Sequence, residues 1–370
     1  MGIWRCSLGQ NADTDADIDM IDGTFWSGQR VLLTGHTGFK GGWLSVWLAR
    51  MGAQVWGLSL RPDTTPNLFD LIPTATFRES RLGDIRDQSV VASIVADAKP
   101  TIAIHMAAQA LVRRGYGAPT ETFAINVMGT ANVLEALRGQ RALKAVVVVT
   151  TDKVYRNLED GRAFREDDPL GAHDPYSASK AAAEIAAGSW AQSYFAQAGI
   201  PVVTARAGNV IGGGDWSEDR LVPDIWRSAQ REETLLLRYP QARRPWQHAI
   251  EPLAGYLRYA EMAASGADLP KALNFGPRPN DTLTVQELAE AMLKALGSSV
   301  IWRQDPKSAA PEMQTLALDP SLAHSSIGWR PRLSSAEAIA WTAEWYGRLA
   351  RGERAHELCL EQISRYEKHA

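Results

Sequence analysis

Tyr176 and Lys180 stand four residues apart in YSASK, a spacing that puts both side chains on one face of a helix. An ammonium beside a phenol favours the phenolate. The pair therefore predicts a tyrosine whose pKa, ordinarily about 10, falls toward the working range, so that it can shuttle a proton. Thr151 closes the most hydrophobic run of the chain, KAVVVVTT, and could offer its hydroxyl to the same substrate oxygen. A second group of residues suits phosphate. In QRVLLTGHTGFKGGW, Gly35, Gly38 and Gly41 recur at every third position after a short apolar run. The pattern reads as buried strand, tight turn and helix. One glycine permits the turn, one admits a pyrophosphate to the backbone, and one lets helix and strand pack closely. The helix N-terminus adds free N–H groups and partial positive charge, so the stretch predicts dinucleotide binding.

These residues need a scaffold, and the rest of the chain supplies its pattern. Apolar runs at Gln54–Leu60, Thr101–His105, Lys144–Thr151 and Pro201–Arg206 alternate with helical stretches at Asp87–Ala98, Pro119–Arg138 and 175–198. Strands this continuous in Val, Ile and Leu imply a parallel sheet covered on both faces, an α/β doubly wound fold that binds its ligand at the carboxyl ends of the strands. From Ala207 the rhythm changes to a Gly-rich loop, shorter strands and helices. We therefore expect a Rossmann domain over 25–206 and a smaller C-terminal lobe over 207–370, interleaved with it. The first 24 residues are acidic and polar and read as a flexible or loosely docked extension.

Composition narrows the function. Of 370 residues 45% are hydrophobic and 22% charged, and the net charge is −3 with both signs scattered, so no nucleic-acid footprint is expected. Two cysteines near opposite ends imply neither a disulfide framework nor a cysteine metal site, which suits a reducing cytoplasm. No run reaches the roughly 18–20 apolar residues of a membrane span.

Taken together, TGHTGFKG, the MAAQ stretch, TTDKVY, YSASK and RAGNVIGGGDW resemble the extended short-chain dehydrogenase/reductase family from about residue 28 to 350. GHTGFKG, the Asp-Lys after Thr151, and RPWQH at 244–248 point within it to the branch that dehydrates CDP-glucose. The resemblance implies a Rossmann domain with a nucleotide-sugar-binding lobe, a CDP-sugar substrate, and a 4,6-dehydration in which Tyr176 takes the O4 proton. It makes Asp152 the acid at O6. Lys153 stands where the dTDP-glucose enzymes carry the Glu that serves as base at C5. It either acts as that base or stabilises the enolate. A C4 epimerase or 4-keto reductase would need Tyr176 and Lys180 but no such acid. A non-catalytic regulator would need only the glycines.

The expected cofactor site comprises Gly35, His36, Gly38, Phe39, Lys40, Gly41, Arg61, Asp84, Ile85, Ala107, Ala108 and Gln109, together with Tyr176 and Lys180. Lys40 would neutralise pyrophosphate or point to water. NAD-specific sites place Asp or Glu about 20 residues after the glycines, on the ribose 2′-hydroxyl. Here Ser59, Leu60 and Arg61 stand there, and Arg61 could accept a 2′-phosphate. A reaction that regenerates its own cofactor gains from retained NAD, and the family uses it, so NAD is expected. For the substrate, Asn209 and Arg220 are placed to reach phosphates or sugar, and Arg244 aligns with a diphosphate-binding arginine of relatives. His248 and Glu251 could reach the nucleotide or the interface between lobes. The resemblance also implies a homodimer through a four-helix interface built from Pro119–Arg138 and Pro175–Ala198, with a tetramer as the larger alternative.

Overall fold

Most of the apolar runs become strands buried along nearly their whole length. The protein, seen as a computed structural model, is described over residues 21–278, 281–306 and 316–369. Its central sheet contains β1 (Arg30–Thr34), β2 (Gln54–Ser59), β3 (Glu79–Leu82), β4 (Ile102–His105), β5 (Ala145–Val149), β6 (Val202–Ala207) and β7 (Ala272–Phe275). Their order is β7-β6-β5-β4-β1-β2-β3, and every pairing is parallel. β4 and β5 expose no residue to solvent because helices cover both faces. The order reverses between β1 and β4, and a crevice opens there at the carboxyl ends.

The chain crosses back over its own sheet. β7 completes the edge beside β6, and helix Ile250–Ala264 packs against β5, although both lie beyond residue 207. Helix Phe39–Arg50, which follows the glycine turn, is buried from Gly41 to Leu48. The sheet lies on one side of it and helix Ala355–Glu367 on the other. Trp47 Nε1 donates to Glu367 Oε1 at 2.9 Å, and the Trp47 ring meets Tyr366 edge-on. Glu251 ties the same C-terminal region down, accepting from the Arg332 and Leu333 N–H groups and from the Tyr366 hydroxyl.

The expected extension over residues 1–24 lies mostly outside the described residues. Residues 21–24 are docked, with the Asp22 N–H bonded to Glu261 Oε1 at 2.9 Å. The stretch after Ala207 is not all loop, since Val210–Ile211 pairs in parallel with Gln247–His248. Two further short ladders, Arg243–Arg244 with Leu283–Thr284 and Leu235–Leu237 with Trp302–Gln304, shape the smaller lobe. Residues 119–137 and 175–198 are helical throughout, each interrupted by a π-helical segment, at Ala124–Gly129 and Ala191–Phe195.

Candidate active site

The turn after β1 is drawn so tight that only glycine fits. Gly35 has φ +80°, and a Cβ there would lie 2.8 Å from the Ala107 nitrogen. A Cβ on Gly41 would lie 2.0 Å from the Gly35 carbonyl oxygen. Gly38 caps the following helix with no side chain on its N–H groups, which leaves those of the first turn to a ligand. Thr34 fastens the loop after β4 alongside. Its hydroxyl accepts from the Met106 and Ala107 N–H groups at 3.1 Å each and lies 2.6 Å from His105 Nδ1. From this turn a cleft of about 940 Å³ runs to the smaller lobe.

Tyr176 enters the cleft from the first turn of helix Pro175–Trp190. Asp174 caps that helix by accepting from the Ser177 N–H, and Pro175 opens it. One turn on, Lys180 Nζ donates to the Val149 carbonyl at 3.0 Å. The Tyr176 phenol lines the same part of the cleft as Thr151, and Thr151 Oγ1 donates to Asp152 Oδ1 at 2.8 Å. Asp152 is 1% exposed, and its Oδ2 has no partner among the described residues. Lys153 Nζ stands 3.8 Å from Asp152 Oδ1. A phenol, a hydroxyl, a carboxyl and an amine thus share one part of the cleft.

Burial reverses the expected tuning of Tyr176. Desolvation pushes the phenol up to about 12, only partly countered by the nearby Thr151 hydroxyl. Lys180 itself is lowered by burial to about 8, against the pull of Glu184. Lys40 is half-buried and lines the cleft. It folds into the cleft and donates to the Tyr256 hydroxyl at 3.0 Å. Burial, with repulsion from Lys180 and Arg220, lowers it to about 7.

Of the predicted site residues, His36 and His248 lie outside the cleft lining, and both readings are corrected. His36 is fully buried behind the turn, its Nε2 2.7 Å from Ser80 Oγ and its ring edge-on to Phe69 and Phe77. Gly57 of β2 leaves room for it, since a Cβ there would meet the imidazole at 2.5 Å. His248 is likewise fully buried, wedged edge-on between Trp43 and Trp341. Glu251 serves the contact with the C-terminal helix. The other predicted residues line the cleft, some with their polar groups already engaged. The Gln109 amide turns to Thr122 Oγ1, and the Asp84 carboxylate is held by Arg86. Arg220 pairs with Asp215 at 3.1 Å, and the Arg244 guanidinium donates to the Arg243 carbonyl at 2.9 Å.

One functional element escaped sequence reasoning. Glu184, one helical turn beyond Lys180, forms a buried ion pair with Arg206 and accepts from Thr150 Oγ1. Arg206 also donates to the Tyr155 hydroxyl at 2.7 Å, while its pair with Glu184 ties helix Pro175–Trp190 to β6. The four-residue spacing from Lys180 was the available signal.

Comparison with known proteins agrees with this geometry. The GDP-mannose 4,6 dehydratase family matches residues 32–342. The chain is 43% identical to the CDP-glucose 4,6-dehydratase of Salmonella typhimurium strain LT2, over 94% of this chain and 98% of that protein. It is 29% identical to a dTDP-glucose 4,6-dehydratase of Streptomyces niveus, over 86% and 92% of the two chains. Among solved structures it is similar to the dTDP-glucose 4,6-dehydratase DesIV of Streptomyces venezuelae, which holds NAD and TYD. There the TM-score is 0.73 at 26% identity, covering 87% of this chain and 98% of that one.

Proposed function

The chain belongs to the GDP-mannose 4,6-dehydratase family of extended short-chain dehydrogenases/reductases, and on that premise we propose that it converts CDP-D-glucose to CDP-4-keto-6-deoxy-D-glucose and water. The observation that carries this reading is the bare, buried Oδ2 of Asp152 beside Lys153, in the same cleft as Tyr176 and the glycine turn. An epimerase or ketoreductase has no use for a second acid–base pair.

The family uses NAD, and the residues fit it: Gly35 and Gly41 let the turn close on itself where a Cβ would strike backbone, and the uncapped helix N–H groups are left for a pyrophosphate. Bound there, NAD supplies a two-electron acceptor for C4 and a donor of the same pair to C6, with a positive ring in its oxidised form. Tyr176 takes the O4 proton as a phenolate, the form that a positive nicotinamide ring and the Lys180 ammonium one turn along the helix would favour over the phenol, while Thr151 holds the oxygen. The C4 ketone acidifies the C5 proton, which Lys153 removes as a neutral amine. Asp152, protonated, gives its proton to O6, and water leaves. Lys153 then returns its proton to C5. Tyr176 ends one proton richer and Asp152 one poorer, and we assign the transfer that restores both to the Thr151 hydroxyl, which donates to Asp152 Oδ1. A protonated Lys153 beside an ionised Asp152 would be the state that follows elimination, and the two groups stand 3.8 Å apart. Arg220, Arg244 and Asn209 bind the diphosphate and sugar, with the guanidinium groups matching phosphate geometry.

The 43% identical relative supports cytidine as the base. No helix among the described residues is long and apolar enough to cross a membrane. We read the enzyme as a cytoplasmic homodimer. In support, Phe123, Met128, Ile185 and Tyr194 stand exposed on the two adjacent helical stretches. The decisive experiment incubates the protein with NAD and CDP-, dTDP-, UDP- and GDP-glucose, and follows loss of water by mass spectrometry. Dehydration of CDP-glucose alone is the expected result. Dehydration of another nucleotide sugar in its place, or of none, rejects the assignment.

A further inference from the structure

Thr37, inside the glycine turn, governs the end of β2. Its hydroxyl lies 2.8 Å from Ser59 Oγ and donates to the Leu60 carbonyl at 2.8 Å. From the other side the Gly83 N–H holds the Ser59 carbonyl at 2.8 Å. This strand end carries the ribose-binding carboxylate in NAD-specific sites. Here it carries a hydroxyl already paired within the turn, followed by Leu60 and Arg61. Arg61 is exposed, lines the cleft, and makes no hydrogen bond or ion pair among the described residues. Arg114 stands over the same loop, 4.0 Å from Asp63 Oδ2. The nearby carboxylate of Asp84 is already occupied, accepting from Arg86 Nε and Nη2 at 2.9 and 2.6 Å.

We propose that the adenosine-ribose subsite accepts a 2′-phosphate as readily as a free 2′-hydroxyl, so that the protein binds NADP as well as NAD, with Arg61 as the residue that sets the choice. A guanidinium matches a phosphate with paired charged hydrogen bonds, whereas a carboxylate in its place would repel the dianion. The inference rests on the dehydratase reading in one respect. A cofactor that leaves each turnover in the oxidation state in which it entered can come from either nicotinamide pool, so nothing requires a carboxylate that excludes NADP.

Calorimetric titration of the cofactor-free full chain tests this with NAD, NADP, 5′-AMP and 2′,5′-ADP. NADP is expected to bind within about tenfold of NAD, and 2′,5′-ADP more tightly than 5′-AMP. Arg61→Ala should weaken NADP and 2′,5′-ADP by about ten- to a hundredfold and NAD by less than about threefold. Arg61→Lys should keep part of the preference, which shows that a variant has folded and that charge is responsible. Binding of NAD without NADP, or an Arg61→Ala variant with an unchanged NADP-to-NAD ratio, overturns the proposal and leaves the dehydratase reading standing. Binding of neither cofactor overturns both, and binding of NADP alone overturns dual acceptance together with the NAD assignment.

Discussion

At the scale of single residues, Asp152 and Lys153 divide the elimination between them, and their substitutions should fail differently. Lys153→Met should abolish exchange of the C5 hydrogen with solvent while reduced cofactor still accumulates on mixing with CDP-glucose. Exchange that persists in deuterated water would remove Lys153 from the role of base. Asp152→Asn should allow both reduction of the cofactor and C5 exchange but slow loss of water by about 10²–10⁴-fold, the usual weight of a positioned acid. Lys180 predicts the alkaline limb. Its pKa is lowered by burial to about 8, so its charge is present below that pH and lost above it. The rate of C4 oxidation should fall as pH rises through about 8, and Lys180→Arg should move that fall upward. A stopped-flow pH series on reduced-cofactor absorbance reads this directly.

Elements respond through packing and through buried titration. Gly41→Ala drives a Cβ to 2.0 Å from the Gly35 carbonyl, where backbone must move. We expect a loss of about 1–3 kcal/mol in stability, with NAD affinity reduced at least about tenfold, both measurable by thermal shift and calorimetry. His36, His105 and His248 are all lowered by burial, to about 4, 3 and 3. Below an ordinary histidine pKa of about 6.5 the unfolded chain takes up protons that the folded chain refuses. Stability therefore falls with acidification by on the order of 1.4 kcal/mol per pH unit per histidine, until each folded pKa is reached. Glu251, raised by burial to about 7, opposes this between about 4.5 and 7, where the folded chain keeps a proton that the unfolded one has released. Urea unfolding midpoints measured across this window should drop as pH falls, and His105→Gln should flatten the slope.

The same histidines mark where the sequence stopped being readable. Strands β1, β4, β5 and β6 announce themselves because burial on both faces demands unbroken apolar runs. The glycine triplet does so because backbone contact permits nothing larger. A histidine in GHTGFKG carries no such mark. Whether it meets phosphate or Phe69 and Phe77 depends on Gly57 and Ser80, which reach it only when β2 and β3 pair. Tyr176 was legible only in part for a related reason: the helical spacing to Lys180 could be read, but the burial that raises the phenol comes from other elements that close around it.

For the whole molecule, the exposed apolar residues on the paired helical stretches predict assembly. Sedimentation analysis should give a dimer, and Ile185→Asp, at a site 65% exposed in the single chain, should shift it toward monomer. A wild-type monomer at micromolar concentration would remove the four-helix interface. The C-terminal helix has a different bearing on the whole. Trp47, on the helix that begins at the phosphate turn, finds its hydrogen-bond partner 320 residues later, at Glu367. On the ribosome the cofactor-binding strands emerge early, but this tryptophan stays without its partner until helix Ala355–Glu367 has been made. The nucleotide pocket, encoded first, is therefore among the last parts of the molecule to be finished, and a chain stalled before that helix should bind cofactor poorly and expose an indole for chaperones to find.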